Sequence, residues 1–143
     1  MKDTETHPIG TLMLIDDSEI DQMIYRRIAI KSGLVRDLLQ FMDAVKAFEY
    51  LSDLDNQRPD LILLDINMPG MDGFEFLEAA TEKLGAELCP IVVMLTTSLN
   101  PKDEERAMSF SVVREFLSKP LTLRQLQALG ALVGAKEPNM LGQ

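Results

Sequence analysis

Short runs of consecutive apolar residues recur along the chain, and the segments between them carry apolar residues three or four positions apart. An apolar run of four or five residues is typical of a strand that is buried on both faces of a sheet, whereas the wider spacing is typical of one face of a helix. The pattern therefore predicts five strands that alternate with five helices. The predicted strands are residues 11–15, 38–42, 61–64, 91–95 and 112–117.

Alternating strands and helices favour an α/β fold, with a five-stranded parallel sheet and helices on both faces. Five short strands in such an open sheet most often take the order 2-1-3-4-5, the flavodoxin-like (βα)5 arrangement. The ligand crevice of that arrangement lies between the carboxyl ends of the first and third strands. We therefore expect function at the ends of those two strands.

Capping residues mark the ends of the first predicted helix. Ser18 is expected to cap its start, Asp21 to complete a variant of the capping box, and Gly33 to end the helix. The apolar residues at helical spacing should form its buried face, namely Ile20, Met23, Ile24 and Ile28.

The chain has 143 residues, which is enough for one domain with a sizeable core. We assign residues 11–133 to that domain, residues 1–10 to a flexible leader and residues 134–143 to a flexible tail. No output domain follows residue 133, so a stand-alone protein is expected.

The charge balance restricts the partners and the location. The chain carries 23 acidic and 14 basic residues, a net charge of −9, which disfavours direct binding to DNA or to an anionic membrane. No apolar run approaches the ~20 residues of a membrane span, and the polar start excludes a signal-peptide core, so a cytoplasmic protein is expected. The single Cys89 excludes an internal disulfide, and we interpret it as a small buried hydrophobic residue.

Polar residues stand at the carboxyl ends of four predicted strands: Asp16 and Asp17, Asp65, Thr96 and Lys119. Magnesium prefers oxygen ligands and is commonly held by one or two carboxylates together with waters and a phosphate oxygen. Each residue alone could be structural, as a turn-capping Asp is. Their joint placement predicts a magnesium-dependent phosphoryl-transfer site.

Asp65 is the candidate nucleophile, because Asp16 and Asp17 are adjacent and are better suited to clamp a metal ion. A carboxylate can attack phosphorus to form an aspartyl phosphate when a metal neutralises the incoming group. Asp17 and Asp65 are the candidate direct ligands, with Asp16 acting through water. Lys119 would contact one phosphoryl oxygen as a point charge, and Thr96 would donate a hydrogen bond to another.

Four motifs resemble those of the receiver domain of two-component response regulators, the CheY-like superfamily. The resemblance covers about residues 10–133, which is nearly the whole chain. The motifs are LIDDS at residues 14–18, LDINMPGMDG at 64–73, LTTS at 95–98 and FLSKP at 116–120.

The resemblance implies a phosphoacceptor signalling switch, not an enzyme, which would catalyse only its own phosphorylation and dephosphorylation. Asp65 would accept the phosphoryl group from the phosphohistidine of a sensor histidine kinase or of a histidine phosphotransfer protein. Mg²⁺, with Mn²⁺ as an alternative, would bind Asp17, Asp65 and the backbone carbonyl of Asn67. The bond between Lys119 and Pro120 is often cis in this family, which an X-Pro bond permits at modest cost.

The resemblance also implies how the switch would work. The hydroxyl of Thr96 would move to the phosphoryl group, and Phe116 would turn inward to fill the space. These movements would change a surface formed by the fourth helix, fifth strand and fifth helix, to which a downstream effector protein would dock. Asn67, Thr97 and Ser98 flank the site where the family tunes dephosphorylation.

Two other functions remain open, together with one question of assembly. A Mg²⁺-dependent small phosphohydrolase would also use an Asp nucleophile, but phosphatases of the haloacid dehalogenase type carry Asp-x-Asp after the first strand and a large cap. A phosphorylation-independent adaptor would have no use for the site residues. Leu129 and Leu132 on the last helix would support a homodimer if they are exposed, and would be ordinary core otherwise.

Overall fold

The computed structural model describes residues 7–85, 88 and 91–136. Within this part of the chain five strands alternate with five helices, as the hydrophobic pattern predicts. The elements are β1 (Ile9–Ile15), α1 (Glu19–Ser32), β2 (Val35–Phe41), α2 (Ala44–Ser52), β3 (Leu61–Leu64), α3 (Gly73–Leu84), β4 (Val92–Thr96), α4 (Pro101–Met108), β5 (Val113–Ser118) and α5 (Leu123–Lys136).

The five strands form one parallel sheet in the order β2-β1-β3-β4-β5, which confirms the predicted fold class. The central strand β3 is buried along its whole length. Ile15 pairs with Leu64, and Leu64 pairs with Met94, so β1, β3 and β4 end close together. The residues that follow these strands therefore meet at one edge of the sheet.

Two apolar cores, one on each face of the sheet, hold these elements together. On β1, Met13 and Ile15 pack with α2 and α3, whereas Leu12 and Leu14 pack with α1 and α5. This division follows from the alternation of side chains along a strand. Burying one such side chain stabilises the fold by about 1.5–3 kcal/mol, so the sheet can tolerate costly polar groups at its edge. Among the described residues, no helix is both long and apolar enough to cross a membrane.

Several element ends differ from the predicted ones. β1 begins at Ile9, two residues before the predicted strand and inside the predicted leader, because the amide of Ile9 donates to the carbonyl of Leu34 at 3.1 Å. Gly10 interrupts the apolar run there but does not prevent the pairing. β2 begins at Val35, three residues before the predicted start at residue 38. The strand is half-exposed, so its first residues do not form the apolar run on which the prediction relied. Helix α5 continues to Lys136, past the predicted domain end at residue 133.

Ser18 and Gly33 cap α1 as predicted, but the buried face of the helix is not the one that its apolar residues predict. Ile20 is 70 % exposed and Met23 is 61 % exposed. Ile24 and Ile28 are only half-buried, and the buried residues are Gln22, Tyr25 and Ala29. The interpretation of Cys89 cannot be compared in this way, because that residue lies outside the described ones.

Polar contacts at the strand ends explain the orientation of α1. Nε2 of Gln22 donates to the backbone carbonyls of Asp16 and Phe41, both at 3.0 Å, and to that of Leu14 at 3.3 Å. A buried carbonyl without a donor costs about 1–3 kcal/mol, so these contacts compete well with the burial of one apolar side chain. A hydrophobic pattern does not register such demands, and for this reason the predicted face was wrong.

Candidate functional site

Three carboxylates meet at the carboxyl ends of β1 and β3. The amide of Asp65 donates to the carbonyl of Ile15 at 3.0 Å, which continues the strand pairing and sets Asp65 beside Asp16. One oxygen from each of Asp16, Asp17 and Asp65 lies within 4.8 Å of the others. Asp16 and Asp65 are buried, whereas Asp17 is exposed. Three carboxylate oxygens are the hard ligands that Mg²⁺ and Mn²⁺ prefer, so these residues fit a divalent cation.

Lys119 brings a positive charge to the same place. Its Nζ lies 2.7 Å from Asp21 Oδ2, 2.9 Å from Asp16 Oδ2 and 3.2 Å from Asp65 Oδ2. The amide of Lys119 donates to the carbonyl of Thr96 at 3.0 Å, so the residue continues the pairing of β5 with β4 and lies at the same sheet edge. A nearly buried ammonium thus contacts three carboxylates at once.

The charges in this cluster do not cancel. Burial raises the pKa of Asp65, and the negative charge of Asp16 raises it further, against the opposing effects of Lys119 and of a hydrogen bond with Thr96. Burial acts to lower the pKa of Lys119, but hydrogen bonds to Asp21 and Asp16 outweigh it and raise that pKa above its ordinary value. Lys119 is therefore charged at neutral pH, and the excess of negative charge favours a bound cation.

Asp16 is held in one orientation by three donors. The amide of Ser18 donates to its Oδ1 at 3.0 Å, and the hydroxyl of Tyr25 donates to its Oδ2 at 2.6 Å. Lys119 contacts the same Oδ2 at 2.9 Å. Burial and the hydrogen bond to Asp16 raise the pKa of Tyr25, so its phenol keeps the proton that it donates.

The three hydroxyl residues at the end of β4 have different surroundings. Thr96 is fully buried, acts to lower the pKa of Asp65, and accepts from the amide of Ser98 at 3.3 Å. The hydroxyl of Ser98 donates to Asp103 Oδ2 at 2.6 Å, and Thr97 is exposed. The structure thus brings Thr96 to the carboxylate cluster, whereas the side chain of Ser98 binds Asp103 and that of Thr97 is exposed.

Asn67 is exposed in the turn between β3 and α3, directly after the cluster. That turn folds back over Asp65, since the amide of Gly73 donates to the carbonyl of Ile66 at 2.8 Å. A Cβ at position 73 would clash with the backbone carbonyl of Asp65, so the turn needs glycine there. The close return of the chain keeps the backbone around Asn67 near the carboxylates.

Phe116 lies on β5, three residues before Lys119, and is half-buried. It packs against the core on the α2 and α3 side of the sheet and lines a groove with Leu99 and Pro101 at the start of α4. The bond between Lys119 and Pro120 is cis. Phe116 therefore lies beside α4, outside the carboxylate cluster.

Sequence reasoning misses two residues of the cluster, Asp21 and Tyr25. It assigns Asp21 to a capping box, but only half of that box exists: Ser18 Oγ accepts from the amide of Asp21 at 3.1 Å, while the carboxylate of Asp21 contacts Lys119. Positions 21 and 25 are four residues apart within α1, which places them on one side of that helix. This spacing, in the helix that directly follows the acids at the strand end, is the signal that could have found both residues.

Comparisons by sequence and by structure identify proteins that are similar to this chain. The family model described as the response regulator receiver domain matches residues 12–130. Response regulator Rcp1 of Synechocystis is 30% identical over 126 residues, which cover 85% of this chain and 84% of Rcp1. A two-component response regulator from Cytophaga hutchinsonii superimposes with a TM-score of 0.80 at 29% identity, over 87% of this chain and 96% of that one. The Mn²⁺-bound form of Rcp1 superimposes with a TM-score of 0.69 at 28% identity, over 90% of this chain and 92% of that one.

The matched region contains the strand-end cluster as well as the sheet. Asp16, Asp17, Asp65, Thr96 and Lys119 all lie within residues 12–130. The relatives found by sequence and those found by structure are response regulators. The order of the parallel strands fits the same fold. This chain belongs to the response regulator receiver domain family, whose members are signalling switches.

Proposed function

We propose that Asp65 accepts a phosphoryl group in a Mg²⁺-dependent step and that this modification switches the binding of a downstream effector protein. The proposed donor is the phosphohistidine of a sensor histidine kinase or of a histidine phosphotransfer protein. The observation that supports this best is the buried carboxylate of Asp65, which lies at the end of the central strand beside Lys119 and Asp16. A buried carboxylate among like charges is costly unless a cation or a reaction makes use of it.

The proposed ligands for Mg²⁺ are Asp17, Asp65 and the backbone carbonyl of Asn67, and Mn²⁺ would suit the same oxygen donors. When bound, the cation would neutralise the negative charge of the incoming phosphoryl group. Asp16 is proposed to act through water, which is supported by the three donors that already occupy its two oxygens. The existence of an Mn²⁺-bound form of the relative Rcp1 also supports a metal site here.

The chemistry requires no base for Asp65, because a carboxylate attacks phosphorus as an anion. An oxygen of Asp65 forms the bond to phosphorus while the phosphorus–nitrogen bond of the phosphohistidine breaks. The electron pair of that bond stays on the ring nitrogen, and the histidine leaves as neutral imidazole when its other nitrogen carries a proton. Lys119 and Thr96 would donate to the phosphoryl oxygens and stabilise the charge that develops there.

Loss of the phosphoryl group is proposed to use the same residues, so that the chain would catalyse only its own phosphorylation and dephosphorylation. Attack of water on the phosphorus would break the oxygen–phosphorus bond and restore the carboxylate of Asp65. Asn67 and Thr97 are exposed, and Ser98 is tied to Asp103. We propose that these three neighbours, Asn67, Thr97 and Ser98, control how readily water reaches the phosphorus.

The proposed switching face consists of α4, β5 and α5. Within Pro101–Met108 the buried residue is Ala107, and Leu99, just before the helix, is 90 % exposed. An element with few buried contacts can move at low free-energy cost. This light packing supports α4 as the part that responds to phosphorylation.

Thr96 and Phe116 are the proposed links between the phosphoryl site and that face. Thr96 is fully buried and acts on the pKa of Asp65, so a new group on Asp65 changes its surroundings directly. Phe116 borders the start of α4 and is half-buried, so its ring lies between the sheet and that helix. Movement of the two side chains together would bias a two-state surface.

An effector protein is a better proposal for this face than a second copy of the chain. Leu129 is 4 % exposed and belongs to the core, which supports its interpretation as a core residue and not as a dimer contact. Leu132 is half-buried in a groove beside Leu117, so a homodimer through α5 would depend mainly on Leu132. The net charge of −9 supports the proposal that the protein does not bind DNA directly. We also propose that it is located in the cytoplasm.

The intact mass of the protein after incubation with acetyl phosphate tests this function. We expect one added phosphoryl group per chain with Mg²⁺ and none in the presence of EDTA. Phosphate release in large excess over protein, from several phosphate esters, would instead identify a small phosphohydrolase. If neither a label nor a beryllofluoride complex forms, the chain is a phosphorylation-independent adaptor.

A further inference from the structure

Asp21 is the carboxylate nearest to Lys119, yet it is not part of the candidate metal cluster. The distance from its Oδ2 to Lys119 Nζ is 2.7 Å, shorter than the 2.9 Å to Asp16 and the 3.2 Å to Asp65. Among the described residues, the oxygens that could share a cation come from Asp16, Asp17 and Asp65. The carboxylate of Asp21 therefore interacts with the lysine and not with the proposed cation.

Lys119 is already engaged with three acids in this arrangement. Its Nζ hydrogen-bonds with Asp21 and Asp65 and forms an ion pair with Asp16. A phosphoryl group on Asp65 must therefore compete with these acids for the ammonium group.

Asp21 is the contact that can be given up at least cost. Asp16 is buried and is also fixed by Tyr25, and Asp65 itself carries the phosphoryl group. The side chain of Asp21 is 26% exposed, so water can replace Lys119 as its partner.

We propose that Asp21 is a positioning residue that competes with the phosphoryl group for Lys119 and so weakens phosphoryl binding at this site. The proposal rests on the function proposed above for Asp65. Two effects act in the same direction: Asp21 occupies a donor of Lys119, and its negative charge repels an anionic group nearby. A purely structural role for Asp21 would act in the opposite direction, because loss of the ion pair would leave Lys119 less well placed.

Asp21→Asn is the test variant, since the amide keeps the shape of the side chain and one oxygen acceptor but removes the charge. Glu19→Gln is the matched control. Glu19 lies in the same first turn of α1, is exposed, and is not among the carboxylates that contact Lys119. Both variants lose one negative charge, so only the contact with Lys119 distinguishes them.

The probe is beryllofluoride, which mimics a phosphoryl group on a carboxylate, titrated by calorimetry at saturating Mg²⁺. We expect the dissociation constant to fall about threefold to tenfold in Asp21→Asn and to stay within about twofold of wild type in Glu19→Gln. Asp21→Ala, which removes the acceptor as well, should bind at least as tightly as Asp21→Asn. The unfolding temperature without beryllofluoride should not rise in either Asp21 variant.

The outcomes separate the two proposals. If wild type binds beryllofluoride but both Asp21 variants bind it equally or more weakly, the competing role of Asp21 is wrong and the function of Asp65 stands. An equal gain in Glu19→Gln would also overturn the role of Asp21, since the effect would then be one of overall charge. If wild type does not bind beryllofluoride at all, the role of Asp21 fails. The function proposed for Asp65 fails with it if acetyl phosphate adds no label either.

Discussion

Asp60 and Asp65 flank the same four-residue strand, β3, but their surroundings differ at every point. At the amino end, Asp60 Oδ2 accepts from the amide of Thr11 at 2.9 Å, and the amide of Asp60 donates to the carbonyl of Thr11 at 2.9 Å. Asp60 is half-exposed. At the carboxyl end, Asp65 is buried, faces the like charge of Asp16 and shares Lys119 with two other acids.

From this difference we interpret Asp60 as a structural acid and Asp65 as the acid with the proposed function. The carboxylate of Asp60 satisfies a backbone donor of the neighbouring strand and needs nothing further. The pKa of Asp65 is raised, chiefly by burial, so its ionised form is held at a cost to the fold. Proteins accept such a cost at sites that bind ions or react, and four apolar strand residues between the two acids provide the stability that offsets it.

The largest expected contrast lies in phosphorylation. Asp65→Asn should abolish labelling by acetyl phosphate, because the amide is not a nucleophile toward phosphorus, whereas Asp60→Asn should be labelled like wild type. Intact mass spectrometry of the three proteins under identical conditions measures this. If Asp65→Asn is still labelled, Asp65 is not the phosphoacceptor, and the proposed difference between Asp60 and Asp65 is wrong.

Removal of Lys119 should cost the most stability. Lys119→Met leaves Asp16 and Asp65 buried together without a counterion, and breaking a buried ion pair in this way costs about 3 kcal/mol in the free energy of unfolding at pH 7. Denaturant unfolding monitored by circular dichroism gives this value. An unchanged free energy of unfolding would contradict this account. It would mean that solvent screens the repulsion between the two carboxylates despite their burial.

Tyr25→Phe should have a smaller effect. It removes the hydroxyl that donates to Asp16 Oδ2 at 2.6 Å, and a hydrogen bond to a charged group is worth about 2 kcal/mol. The same denaturant measurement applies, with Tyr50→Phe as the matched control, because the hydroxyl of Tyr50 donates to the carbonyl of Gln57 in an exposed region. Equal losses in the two variants would contradict a special role for the contact between Tyr25 and Asp16.

The smallest expected effect is on the pH dependence of stability. Since the folded-state pKa of Asp65 is raised above its ordinary 3.8, the stability that this group contributes is present below that value and is lost as pH rises through the folded pKa. Asp65→Asn removes this loss, so its advantage over wild type in the free energy of unfolding should grow from about pH 4 to pH 7. A constant difference over that range would show that Asp65 titrates alike in the folded and unfolded chains.

The fold and the central part of the site could be predicted from the sequence because they depend on local patterns. The buried runs fix five strands, and strand order then places Asp16, Asp17, Asp65 and Lys119 at one edge of the sheet. The structure confirms the sheet order and this convergence. The chemical roles assigned to these residues remain predictions.

The orientation of α1 could not be predicted in the same way, and the misses at the site follow from it. Hydrophobic spacing predicted that the face with Ile20 and Met23 is buried, but both residues are exposed. Gln22 is buried instead, because its side chain donates to carbonyls at the strand ends. This orientation of the helix carries Asp21 and Tyr25 to the carboxylates. The contact between Asp21 and Lys119 joins residues 98 positions apart, and a hydrophobic pattern does not record polar contacts of this kind.

The most direct test of the account is to locate the phosphoryl group itself. After labelling with acetyl phosphate and Mg²⁺, borohydride reduces an acyl phosphate to an alcohol, and peptide mass spectrometry then identifies the residue that has become homoserine. We expect this change at Asp65 alone among the acids of the site. Homoserine at Asp16, Asp17 or Asp21 with Asp65 unchanged would contradict the assignment of Asp65 as the phosphoacceptor.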